Sequence, residues 1–332
     1  MDAILTVNDL TTSFSTTNGL IRAVNGVSFS IKPGEIVGIV GESGCGKSVT
    51  MRSVLRILPE PPARIERGQV LYKGRDLLTL SEAEMMKIRG KEIAMVFQDA
   101  MTSLNPVLRV GTQIAETLQL HLKLSHRQAW QRAEELLHLV GIPDHRQRIQ
   151  EYPFQFSGGM RQRAMIAMAL SCDPAILIAD EPTTALDVTV QLQITRLVQQ
   201  LQARTGMAVI WITHDLGIVA RLVHSVMVLY AGYVVEQAPV HSLYAQPTHP
   251  YTQGLLGSIP RLDKGELSRL KSIAGQPPNQ LFLPAGCPFQ ERCTFSTERC
   301  MVEMPALEAV GDGHRVACWE KERTAVSWEG AG

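Results

Sequence analysis

Apolar residues recur in two rhythms over most of the chain, as short unbroken runs and as stretches of helical period. Runs at 35–40, 93–98, 175–179 and 208–213 are rich in Ile, Val and Ala. They predict strands buried on both faces, as parallel strands covered by helices are. Ser81-Glu82-Ala83-Glu84 and Ser125-His126-Arg127-Gln128 have the capping-box spacing, which marks two helix starts. After Ser125, the residues Ala129, Ala133, Leu136, Leu137 and Val140 share one helical face, and Gly141 supplies a stop. Val190, Ile194, Leu197, Val198 and Leu201 line the buried side of a helix over 189–204. Strands alternating with helices predict an α/β fold, with a helical subdomain at about 99–165 between two strands of the sheet. From about Pro260 the periodicity fades and prolines punctuate the chain. The chain therefore divides into residues 1–258 and a C-terminal extension, 259–332, so poor in apolar residues that it needs a staple.

Charge alters this picture by exclusion. Lys+Arg and Asp+Glu are 32 each, so no basic excess exists to drive nucleic-acid binding. Hydrophobic residues at 45% and charged residues at 19% suit a globular core. No apolar run approaches the ~20 residues that span a bilayer, and the N-terminus lacks a basic n-region. The expectation is a cytosolic protein that can still sit against a membrane protein. Cys45 and Cys172 stand alone, whereas Cys287, Cys293, Cys300 and Cys318 cluster in the extension. In a reducing compartment such a cluster reads as a metal site rather than a disulfide set.

Gly41-Glu42-Ser43-Gly44-Cys45-Gly46-Lys47-Ser48 matches the phosphate-loop pattern between a predicted strand and a helix from Val49 to Leu58. Its glycines let backbone N–H groups curl around phosphates. Lys47 would reach the β- and γ-phosphates, and Ser48 would bind Mg²⁺. Asp180-Glu181 ends an apolar run, at the strand edge where ligands gather in α/β sheets. There Asp180 suits Mg²⁺ and Glu181 suits a general base that polarises water. Ser157-Gly158-Gly159-Met160 opens a further helix and forms a second anion site. One nucleotide hardly needs two such helix ends, so this one is expected to serve the nucleotide of another subunit.

The order of these motifs resembles the P-loop ATPases of the ATP-binding-cassette (ABC) type, over roughly residues 4–255. In that family the segment at Ser157, Gly158, Gly159 and Met160 is the signature that closes over a partner's γ-phosphate, here with Phe156 and Met160 departing from the commonest form. The resemblance implies that Gln98 contacts Mg²⁺ and the attacking water, that His214 contacts the γ-phosphate, and that Asp187 couples two sites across a dimer. It also implies an aromatic stack on adenine, for which Phe14 is the candidate, with a plain core role as the alternative. Gly41 to Ser48, with Val49, complete the implied ATP-binding residues.

Three features are similar to the dipeptide and oligopeptide importer ATPases and their nickel-handling relatives: the stretch from Gln98 to Pro106, the stretch from Glu181 to Thr189, and His249-Pro250-Tyr251-Thr252-Gln253-Gly254. The cysteine-bearing tail resembles the longer ATPase of the peptide importers. Resemblance implies ATP hydrolysis coupled to uptake, a second ATPase subunit in a heterodimer, two permeases and a peptide-binding protein. It places the chain peripherally on the cytoplasmic face of the inner membrane. Other solutes, such as nickel, and soluble ABC proteins of DNA repair or translation are the alternatives. The tail spacing C-x5-C-x6-C-x17-C suits a [4Fe–4S] cluster gathered from separate loops better than Zn²⁺, which commonly uses closer pairs. Importer ATPases with similar tails carry such a cluster.

Overall fold

The computed structural model describes residues 2–99, 103–184, 186–259, 273–326 and 328. Its strands are β1 (Leu5–Thr16), β2 (Gly19–Ile31), β3 (Ile36–Val40), β4 (Ala63–Tyr72), β5 (Arg75–Asp76), β6 (Ile93–Val96), β7 (Ile176–Asp180), β8 (Ala208–Ile212), β9 (Ser225–Tyr230), β10 (Tyr233–Pro239), β11 (Glu308–Gly311) and β12 (His314–Val316). The chain forms two compact units. One takes Met1–Asp2, Lys32–Ile36 and Thr79–Ile212; the other takes Ala3–Ile31, Val37–Leu78 and Thr213–Gly332.

In the first unit β6, β7 and β8 run parallel, in the order β8-β7-β6. Every residue of β7 and β8 is buried, as their unbroken apolar runs require of strands covered on both faces. Both capping boxes form: Ser81 and Ser125 accept the N–H groups of Glu84 and Gln128, and the Glu84 and Gln128 side chains reach back. The second box opens the helix His126–Leu139, which buries Ala129, Ala133, Leu136 and Leu137. The helix Val188–Thr205 buries Ile194, Leu197, Val198 and Leu201 and stops at Gly206, in the left-handed conformation that suits glycine.

The second unit carries an antiparallel sheet, β2-β1-β4-β5, and a mixed ladder, β11-β12-β10-β9-β3. β3 is fully buried and lies parallel to β9. β9 returns as β10 through Ala231 and Gly232, whose φ values of 48° and 83° match the two-residue turn whose twist fits a hairpin. The extension, aperiodic in sequence, adds strands to this ladder. β12 pairs with β10 at Glu236↔Val316, and β11 pairs with β12. One boundary shifts from expectation: the helix after the phosphate loop runs Lys47–Val54, not 49–58. Gly46, at φ 100°, turns the chain directly into the helix, and Arg56 at φ 52° ends it early.

Candidate functional site

Within the second unit, the loop after β3 wraps around the Lys47 ammonium. Lys47 is 4% exposed, and its Nζ donates to the carbonyls of Gly41 and Glu42, each at 2.9 Å. Two glycines make that curl possible. A Cβ on Gly41 would lie 2.3 Å from the Leu229 carbonyl oxygen, and one on Gly46 would lie 2.3 Å from that of Ala23. Either residue also has a φ that side chains disfavour, 152° and 100°. The N-cap of the helix Lys47–Val54 is Gly46, which has no side chain to cap it. Ser48 and Val49 are half-buried in its first turn. Burial pushes the Cys45 thiol above its ordinary range, against the pull of Lys47. Thr213 donates its N–H to the Ile39 carbonyl at 3.2 Å, which holds the following His214 beside the end of β3. Phe14 sits half-buried on β1, opposite Ile21 and Ala63.

The first unit gathers the acidic end. Asp180 closes β7 and is wholly buried. The next residue, Glu181, is held at φ 46°, where non-glycine residues are rare, and donates its N–H to the Ile212 carbonyl at 3.0 Å. Its Oε2 accepts from Gln98 Nε2 at 3.0 Å and from Thr184 Oγ1 at 2.9 Å. A strained backbone and two aimed donors fix one carboxylate in one orientation. Ser157 caps the helix Gly158–Ala169 by accepting the Met160 N–H at 3.3 Å, and Asp187 caps Val188–Thr205 by accepting that of Val190 at 3.0 Å. Gly159 packs so near Val190 that a Cβ would approach it to 2.8 Å. Signature and second cap are thus neighbours, with Ser157, Gly158 and Asp187 exposed. Phe156, the departure from the family pattern, is buried, so its bulk lies in the core. Residues 100–102 and Ala185 of the sequence motifs lie outside the described residues.

The four tail cysteines converge. All are free thiols, and Cys287, Cys293, Cys300 and Cys318 line one cavity together with Phe289 and Trp319. A Cβ on Gly286 would lie 2.2 Å from the Cys300 carbonyl, so glycine lets the strands of this knot close. Burial raises the Cys287 thiol to about 11 and that of Cys318 to about 12. Among the described residues, no group of three or more His, Cys, Asp or Glu side chains is gathered closely enough to hold a metal ion.

Sequence reasoning missed the contacts that fasten the tail. The carboxylate of Glu236, fully buried, accepts the N–H groups of Thr248 (2.6 Å) and His249 (2.9 Å) and contacts His314 Nε2 at 2.8 Å. Tyr251 Oη accepts the Glu42 N–H at 2.7 Å, and Arg292 pairs with the Glu42 carboxylate. A buried Glu in an apolar strand is a visible signal, but its partners are long-range and leave no local pattern.

A family model described as "ABC transporter" matches residues 24–184, and another, "Oligopeptide/dipeptide transporter, C-terminal region", matches residues 235–300. The chain is 54% identical over 318 residues to a probable peptide ABC transporter ATP-binding protein of Sinorhizobium fredii, covering 96% of this chain and 95% of the relative. It is 50% identical over 325 residues to the dipeptide transport ATP-binding protein DppD of Bacillus subtilis, covering 98% and 97%. Its fold is similar to the dimeric ATP-binding cassette MJ0796 bound to ADP and Pi, with a TM-score of 0.64 and 28% identity over 71% of this chain and 98% of that one. Relatives that match over nearly their whole length, together with the two family models, show that the chain belongs to the ATP-hydrolysing ABC cassettes, in their dipeptide and oligopeptide importer branch.

Proposed function

We propose that this chain binds and hydrolyses MgATP to drive uptake of di- or oligopeptides through partner permeases. One observation carries the catalytic half: the Glu181 carboxylate held by Gln98 and Thr184 at 3.0 and 2.9 Å. A carboxylate fixed in this way can accept hydrogen bonds from a water and take its proton as that water attacks the γ-phosphate. Lys47 and the loop amides would bind the phosphates, His214 would contact the γ-phosphate, and Phe14 would stack on adenine. Ser48, Asp180 and Gln98 are hard oxygen donors that fit Mg²⁺, which when bound supplies charge neutralisation to the phosphates. Ser157 to Met160 and Asp187 lie on exposed helix starts, which supports their serving the nucleotide of a second cassette.

The substrate half is supported by the names of the relatives, which are peptide, dipeptide and oligopeptide transport proteins. Residues 1–258 would form the cassette and 259–332 the extension. No helix of the described residues is long and apolar enough to cross a membrane, so the permeases would supply the route. We place the chain peripherally on the cytoplasmic face, with a second ATPase, two permeases and, indirectly, a peptide-binding protein.

For the tail we favour a [4Fe–4S] cluster. Four thiols line one apolar cavity, and their wide spacing along the chain, with no close Cys pair, suits a cubane better than one tetrahedral zinc. Burial holds the Cys287 and Cys318 thiols protonated at neutral pH, so metal binding would release protons and give the tail its staple. Reconstitution with permeases and binding protein tests the function: peptides should stimulate ATP hydrolysis and enter vesicles. Stimulation by nickel and not by peptides would refute the substrate assignment. Brown protein with about four irons per chain is expected after anaerobic purification; a colourless protein with one zinc would refute the cluster.

A further inference from the structure

The extension reaches the phosphate loop at two points. The first is Arg292, whose side chain is 4% exposed. Its Nη1 donates to Glu42 Oε2 at 2.7 Å and Tyr230 Oη at 3.2 Å, and its Nη2 donates to Glu42 Oε1 at 2.9 Å and the Ile273 carbonyl at 3.5 Å. Its Nε donates to the Ala274 carbonyl at 2.9 Å. The fork is thus spent on five acceptors, two of them the oxygens of one carboxylate, the strongest geometry a guanidinium has. The Tyr230 and Phe289 rings lie 5.7 Å from it. The second point is Gln280, whose Nε2 donates to the Gly44 carbonyl at 2.7 Å.

These contacts complete the restraint of Glu42. Its N–H goes to Tyr251, its carbonyl takes Lys47, and its carboxylate takes Arg292. Gln280 fixes the next turn of the loop. In a planar trans peptide C=O and N–H point opposite ways, so holding the Gly44 carbonyl outward aims the Cys45 N–H inward, where it meets the Glu42 carbonyl at 3.3 Å. Elsewhere the loop is restrained by its glycines, by Lys47 and by Gly232, whose N–H donates to the Cys45 carbonyl at 2.9 Å. Arg292 in turn sits in the turn Gln290–Arg292, between two cysteines of the cavity: Gln290 donates to the Cys287 carbonyl at 3.1 Å, and Cys293 donates to that of Gln290 at 3.3 Å.

We propose that Arg292 is a positioning residue for nucleotide binding. By clamping Glu42 it preorganises the phosphate loop, and the four-thiol knot that seats it makes ATP affinity depend on what those thiols hold. The clamp stands on its own geometry, whereas its dependence on the thiols rests on the metal reading above.

Titration of the full-length chain with a fluorescent MgATP analogue tests both parts. Arg292→Met and the isosteric Glu42→Gln should each raise Kd about tenfold, a ~1.4 kcal/mol effect. The double variant should be no weaker than either single, because both remove one interaction. Arg292→Lys keeps the charge without the fork and should fall between wild type and Arg292→Met. Should Arg292→Met fail to fold, Glu42→Gln and Arg292→Lys carry the test. A Kd within twofold of wild type in these variants, or single effects that multiply in the double, would overturn the clamp. Stripping whichever metal the wild type carries with a chelator, without oxygen, should raise Kd as Arg292→Met does and add nothing in that variant. An unchanged Kd after stripping would overturn the coupling while leaving the clamp measurement standing, and zinc in place of iron would overturn only the cluster.

Discussion

Acid should destabilise the fold at the start of the helix Pro250–Gly257 through His249. Its side chain is 1% exposed, and its Nδ1 accepts the Tyr251 N–H at 3.1 Å as the cap of the helix Pro250–Gly257. A protonated Nδ1 cannot accept that bond. Burial lowers the pKa of His249 to about 4, with the nearby Glu236 charge acting in the opposite direction. The folded value lies below the ordinary ~6.5 of an unfolded chain, so the stabilisation is complete above about pH 6.5 and is lost as pH falls toward 4. The gap corresponds to ~3 kcal/mol in all, of which ~2 kcal/mol is gone at pH 5. Glu236 and His314 share this pocket with His249, so wild type alone would not isolate the effect. His249→Asn retains a capping acceptor and does not titrate. Urea unfolding followed by tryptophan fluorescence from pH 7.5 to 4.5 should show the variant less stable at neutral pH but flatter, losing ~2 kcal/mol less than wild type by pH 5. Parallel curves for the two proteins would refute the reasoning.

Gly46→Ala should abolish nucleotide binding and lower the melting temperature, because φ 100° and a Cβ 2.3 Å from the Ala23 carbonyl force the loop open at a strain of about 1–3 kcal/mol. Nucleotide titration and a thermal melt check it, and wild-type binding would count against the loop geometry. Ser157→Arg removes a helix cap worth ~1 kcal/mol and fills an exposed helix start. It should leave ATP binding by the isolated chain intact while blocking turnover of the assembled transporter. Full turnover with Arg at that position would remove the signature from the composite site.

Much of the α/β frame was legible because its signals are local. The runs of β3, β7 and β8 are apolar along their buried positions up to the terminal Asp180 of β7, and the boxes at Ser81 and Ser125 need only four residues each. The phosphate loop was legible for the same reason: its pattern, Gly41 to Ser48, lies within one octapeptide. The helix start moved because the left-handed turn at Gly46 is a property of the folded loop, not of apolar spacing. The extension was not legible as structure. β12 is three residues long and is held by pairing with β10, some eighty positions earlier, and by His314 against Glu236. Arg292 looks like any charged residue before a cysteine until folding brings Glu42 to it.

Glu181 offers the most direct test of ATP hydrolysis by this chain. In the assembled transporter, Glu181→Gln keeps the side chain's shape and an acceptor toward Gln98 and Thr184 but cannot take a proton. MgATP should bind with wild-type affinity while single-turnover hydrolysis slows by ~10²–10⁴-fold, the usual cost of a lost general base. Hydrolysis within a few-fold of wild type would contradict the assignment of Glu181 as the residue that activates water.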